Sequence, residues 1–201
     1  MSRAASRTPF AAQVRTTSRL LPELLRGFEP GDRITVLDLG PGNASTVEFL
    51  TRFKSKVYFA DLIDNPAIAA SDMDTSHETL VGYIHRQLSV PADVQIDICL
   101  FWDYLHFIDM KAIDALSQVL QPLLHSNTRG YGFGALHGGR PEDVSLYGIA
   151  DVDTLVSTTV PSQPQYIAHS QQKLSEHLLS FKITRGTLLR EGRLELLFES
   201  I

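Results

Sequence analysis

The apolar run Ile34-Thr-Val-Leu-Asp-Leu39 ends directly on Gly40-Pro41-Gly42, and a helical pattern follows. A buried strand that turns through glycines into a helix is the opening unit of an alternating α/β sheet. Small residues at that turn let a ligand approach the backbone, and free amides at the helix start can hold an anionic group. A chain of 201 residues suits one ordinary α/β domain. With 43% hydrophobic and 20% charged residues it can build a core, which excludes global disorder.

The rest of the chain repeats the alternation. Lys56–Ala60 reads as a second strand ending at Asp61, residues 75–88 as a helix, and Ile96–Phe101 as a third buried run. Ser45 and Glu48 have capping-box spacing, which turns Val47, Leu50 and Phe53 inward. Asp109 can cap a helix carrying Ile113, Leu116, Leu120 and Leu123, and Tyr131–Leu136 is a glycine-interrupted strand. Ser170–Leu179 reads as a helix. Phe181–Leu189 and Leu194–Phe198 read as strands joined through Glu191-Gly192, a hairpin signal. At the other end, Val14, Leu20, Leu21, Leu24 and Leu25 predict an amphipathic helix over 11–27, stopped by Gly27 and Pro30. Residues 138–168, with Pro141, Pro161 and Pro164, predict an irregular insertion holding one short strand near Tyr147. The expected fold is α/β and doubly wound: a mostly parallel sheet, helices on both faces, and a C-terminal antiparallel hairpin. Residues 1–10 are expected to be a flexible leader and 11–201 a single domain.

Charge and motif content exclude several functions. A net charge of −5 and a pI near 5.8 disfavour nucleic acid and anionic membranes as partners. No apolar run approaches the ~18–20 residues of a bilayer span. Cys99 is the sole cysteine, so no intrachain disulfide or cysteine-rich metal site forms, and a reducing, cytoplasmic setting is expected. Arg3, Arg7, Arg15 and Arg19 make the start basic, as in a transit peptide, but no apolar h-region marks secretion. The histidines lack metal-ligand spacing, so no metal is expected. Neither a G-x-S-x-G elbow nor a G-x-x-x-x-G-K-[ST] loop is present.

In such a sheet the ligand lies outside the carboxyl ends of the strands, where Asp38, Asp61, Asp103 and His137 would converge. A nicotinamide dinucleotide is one candidate ligand, yet Ser45 stands at the third glycine of its fingerprint. Asp38 would repel a pyrophosphate there and welcome a cationic amino group.

At these residues the sequence resembles the class I S-adenosylmethionine-dependent methyltransferases, within a bacterial methyltransferase-like subgroup. Val36-Leu-Asp-Leu-Gly-Pro-Gly42 matches their first motif, and Asp61 matches the acid after their second strand. Ile96-Asp-Ile-Cys-Leu-Phe-Trp-Asp-Tyr-Leu105 resembles the fourth motif, and the likeness spans about residues 20–200. Ala44 replaces the usual third glycine, and residues 63–95 give a third strand that is weak or missing. The resemblance implies a Rossmann-like fold and S-adenosylmethionine held by Asp38, Gly40, Pro41, Gly42, Asn43, Asp61, Leu62, Phe101 and Trp102. It implies methyl transfer to an unidentified acceptor, a small molecule or a protein, with Asp103 or His106 as base. The alternative is a methyltransferase-like protein that binds cofactor or a partner without turnover.

Overall fold

The structure is a computed structural model and describes residues 13–62, 75–135, 144–160, 166–189 and 193–201. Its strands are β1 (Gln13–Thr17), β2 (Arg33–Asp38), β3 (Lys54–Phe59), β4 (Ile96–Trp102), β5 (Leu124–Gly134), β6 (Val144–Asp151), β7 (Thr154–Val160), β8 (Phe181–Leu188) and β9 (Leu194–Ser200). The α-helices are α1 (Leu21–Leu24), α2 (Ala44–Leu50), α3 (His77–Leu88), α4 (Met110–Leu120) and α5 (Gln171–His177). Six strands form one sheet in the order β3-β2-β4-β5-β9-β8. The first four run parallel, while β9 and β8 are antiparallel to their neighbours. β2 and β4 are buried along most of their length, as continuous apolar runs in a parallel sheet should be.

Helix starts follow side-chain chemistry. Ser76, Asp109 and Ser170 each accept a backbone N–H of the first turn, capping α3, α4 and α5. Asn43 does this for α2, two residues ahead of the expected capping box. The inward face therefore becomes Thr46, Phe49 and Leu50, and Val47 is 46% exposed instead of buried. The capping-box spacing of Ser45 and Glu48 was outcompeted by an asparagine already at the loop exit.

Two larger expectations are overturned. The helix over 11–27 is instead an edge strand, β1, and the one-turn helix α1. Leu20, Leu21, Leu24 and Leu25 are buried as their apolarity demands, but Val14 is 54% exposed and its backbone pairs with β7. The insertion over 138–168 contains two strands, not one. β6 and β7 pair antiparallel through a tight turn at Val152-Asp153, and with β1 they form a second, three-stranded sheet. Among the described residues no strand lies beyond β3, which agrees with a weak or missing third strand. His137 and the Glu191-Gly192 turn lie outside the described residues, as do residues 63–74. No helix among the described residues is long and apolar enough to cross a membrane.

Candidate functional site

The carboxyl ends of β2, β3 and β4 are drawn together by main-chain bonds. Ala60 N–H donates to the Asp38 carbonyl (2.8 Å), Asp61 N–H to that of Gly40 (3.2 Å) and Leu62 N–H to that of Leu39 (3.1 Å). Asp61 and the buried Leu62 therefore lie against the glycine turn, although they are distant in sequence. Gln87 of α3 donates to the Ala60 carbonyl from the other side (2.7 Å).

Asp38 is buried, and desolvation raises its carboxyl to about 6. Two donors oppose that rise, both at Oδ1: Gly40 N–H (2.9 Å) and the Trp102 indole N–H (2.8 Å). Asn43 turns its side-chain oxygen to Ser45 N–H (2.9 Å), while Pro41 is exposed. Gly42 has φ +89°, a left-handed conformation that side chains resist. Gly40 is a different case. A Cβ there would stand 2.7 Å from Cε2 of Tyr104 and 2.8 Å from its hydroxyl oxygen, so any larger residue would need that ring to shift.

At the end of β4 the buried Asp103 carboxylate accepts the Tyr147 hydroxyl at Oδ2 (3.0 Å), and its Oδ1 has no hydrogen-bond partner among the described residues. Burial raises its pKa to about 7 against the opposing pull of Tyr147 and Arg193. Arg193 donates to the Tyr147 oxygen (2.6 Å) and lies over the Phe133 ring, 4.7 Å from its centroid. Tyr147 also stacks on Trp102, with centroids 5.6 Å apart and planes at 17°. Asp61 (φ +42°) and Trp102 (φ +50°) both hold left-handed backbones, which cost about 1–3 kcal/mol each and cluster at ligand sites.

The remaining expected residues are placed in the interior. His106 is fully buried. One ring nitrogen, Nε2, bonds the Phe133 carbonyl (3.0 Å), and the other, Nδ1, accepts His169 N–H (3.1 Å). Desolvation lowers its pKa to about 4, so it is neutral at pH 7 with both nitrogens engaged. The Phe101 ring packs edge-on against Phe181 (5.2 Å) and Phe198 (5.1 Å), inside the core. Cys99 is buried, and burial pushes its thiol up. Among the described residues no group of three His, Cys, Asp or Glu is placed to hold a metal.

No family model and no curated protein matches the chain. Solved structures do. The Burkholderia thailandensis 1,6-didemethyltoxoflavin-N1-methyltransferase, with S-adenosylhomocysteine bound, aligns over 90% of this chain and 77% of its own, at 16% identity and TM-score 0.52. A Sulfolobus solfataricus protein assigned as a type 11 methyltransferase aligns over 92% and 94%, at 15% identity and TM-score 0.51. The pyocyanin biosynthetic protein PhzM aligns over 90% of this chain at 12% identity and TM-score 0.48, and this chain spans only 54% of PhzM. The chain has the S-adenosylmethionine-dependent methyltransferase fold.

Within this methyltransferase fold the second sheet covers the strand ends. The covering is fixed to α2 and to the turn after it: Ile149 N–H donates to Thr46 Oγ1 (3.1 Å), and Arg52 pairs with Asp151 (3.0 Å). Tyr147 and Arg193 join this candidate site through Asp103, and the sequence reading did not single them out. The signal for Tyr147 was the strand alternation around it. Arg193 carried none, since its position depends on how β9 lies beside β5.

Proposed function

We propose that this methyltransferase-fold protein binds S-adenosylmethionine along the ends of β2, β3 and β4 and transfers its methyl group to an O–H or N–H acceptor. The observation that carries this reading is the buried Asp103 carboxylate, whose Oδ1 lacks a partner among the described residues. A buried polar atom without a partner costs about 1–3 kcal/mol, and an acceptor's donor hydrogen would relieve that cost. The residue types suit the cofactor. Asp61 offers a carboxylate to two ribose hydroxyls, Asp38 places negative charge beside a cationic amino group, and Gly42 and Ala44 keep the turn small. When bound, the cofactor supplies a methyl group already activated on a sulfonium.

The chain's own residues then have three tasks. Asp103 takes the acceptor's proton at Oδ1, and a pKa near 7 leaves it partly ionised at neutrality, suited to a base. Tyr147 holds Oδ2 and fixes the carboxylate plane. The aromatic cover of Trp102, Phe133 and Tyr147 keeps water from the reacting centre. His106 is not assigned as base, because both its nitrogens are engaged.

Titration with S-adenosylhomocysteine tests the reading. Asp61→Ala should lose about 1.5–3 kcal/mol of binding, roughly ten- to hundredfold, with the fold intact. No binding at millimolar ligand, by the wild type or by Tyr104→Ala, would overturn it. A second reading, binding of cofactor or a partner without turnover, is favoured by the lack of a strand beyond β3 among the described residues. Saturable binding with no label transfer to a panel of phenols, alcohols and amines would support that reading.

A further inference from the structure

Tyr104 stands where three lines of observation cross. Its ring edge and hydroxyl fill the space beside Gly40 so tightly that a single added carbon would overlap them. Burial keeps its phenol un-ionised, and the charges of Asp103, Asp38 and Asp61 act in the same direction. The ring is buried, with only 2% of its surface exposed. A buried tyrosine packed on the glycine turn stands inside the site proposed above.

The backbone around it shows what can move. Tyr104 opens the short 3₁₀ turn Tyr104–His106, two residues after the left-handed Trp102. The far end of that turn is fixed: His106 N–H donates to the Asp103 carbonyl (2.9 Å), and its ring is held by Phe133 and His169. The His106 carbonyl accepts Ile167 N–H (2.6 Å), which ties the turn to the segment before α5. With the turn pinned, rotation of the Tyr104 side chain is the cheapest way to empty the space.

We propose that Tyr104 is a gate in the cofactor site: its side chain fills the Gly40 cradle in the free protein and must swing out before S-adenosylmethionine or its demethylated product can enter. The inference rests on the cofactor reading above. A ligand that meets a closed site binds with an apparent affinity reduced by the fraction of open molecules. Removing the plug therefore tightens binding, whereas removing an ordinary wall residue weakens it.

Isothermal titration with S-adenosylhomocysteine on wild type, Tyr104→Ala and Tyr104→Phe tests this. Tyr104→Ala should bind at least tenfold more tightly than wild type, and Tyr104→Phe, which keeps the ring, should stay within about threefold of it. Binding by Tyr104→Ala alone would also support the gate. Wild-type binding that is matched or weakened in a folded Tyr104→Ala overturns the gate and leaves the cofactor reading standing. No binding by either protein overturns both. Should Tyr104→Ala not fold, 3-fluorotyrosine labelling of the wild type decides. The Tyr104 resonance, assigned by its loss in Tyr104→Phe, should gain a solvent isotope shift only when ligand is bound. A ring that stays shielded in the saturated complex overturns the proposal.

Discussion

Burial lifts the Asp103 carboxyl from 3.8 to about 7, against the opposing pull of Tyr147 and Arg193. The folded state thus keeps a proton that the unfolded chain releases near pH 4. Stability from this group is fully present below about pH 4 and is lost as pH rises through about 7. Asp103→Asn stays neutral throughout, so its melting temperature relative to wild type should climb between pH 4 and 7 and level off above. The difference isolates Asp103 from Asp38, His106 and His169, which titrate in both proteins. Paired thermal melts at unit pH steps check it, and a difference that stays flat would refute a raised Asp103. Gly42 supports a second expectation at this scale. Its φ of +89° and the Phe59 ring 3.2 Å from an added Cβ mean that Gly42→Ala should cost about 1–2 kcal/mol in urea unfolding, whatever the ligand does. The turn's chemistry was legible in Asp38, Gly40 and Gly42. Its occupant was not, since nothing in the string Trp102-Asp-Tyr-Leu105 says that Tyr104 folds back over Gly40.

Elements with a strong apolar pattern announced themselves; those held by pairing alone did not. β2 and β4 are runs of branched and aromatic residues and are buried along most of their length, so local pattern and tertiary position agree. β1 reads Gln-Val-Arg-Thr-Thr with no buried residue, and its strand state comes from hydrogen bonds to β7 rather than from its own side chains. β7 is rich in Thr and Val, a strand signal that the prolines on either side of the insertion obscured. The one-turn α1 depends on tertiary help in the same way. A four-residue helix cannot satisfy its last carbonyls, and the Arg129 guanidinium from β5 reaches those of Glu23 (3.3 Å), Leu24 (3.0 Å) and Arg26. Arg129→Ala should cost about 1.5–3 kcal/mol, the range for hydrogen bonds to a charged group. Amide exchange should rise over residues 24–28 while β4 stays protected, and exchange that rises evenly across the sheet would contradict this local role.

The two sheets share their interior, and this decides how the molecule should unfold. Tyr147, Ile149 and Leu155 of the smaller sheet belong to the same buried cluster as Leu37, Leu100 and Phe133 of the larger one. Ser18, just past β1, donates its N–H to the Asp153 carbonyl (2.8 Å), and its hydroxyl lies 3.4 Å from that of Tyr131. The next residue, Arg19, donates its N–H to the buried Glu195 carboxylate, which also accepts the Tyr131 hydroxyl (2.6 Å). Neither sheet can separate without exposing apolar surface and stranding buried polar groups, so calorimetric unfolding should be one transition with equal calorimetric and van't Hoff enthalpies. Tyr147→Ala is the sharpest probe, because it removes a ring stacked on Trp102 and the hydroxyl between Asp103 and Arg193. By analogy with large aromatic truncations it should cost about 3–5 kcal/mol. For a chain of this size that lowers the melting temperature by roughly 6–20 °C. The near-ultraviolet signal of Trp102, the sole tryptophan, should still fall together with the far-ultraviolet signal. A variant in which the Trp102 signal melts first, or in which a second low-temperature peak appears, would show that the covering sheet unfolds on its own. The site would then be closed by an independently melting cover rather than by the common core.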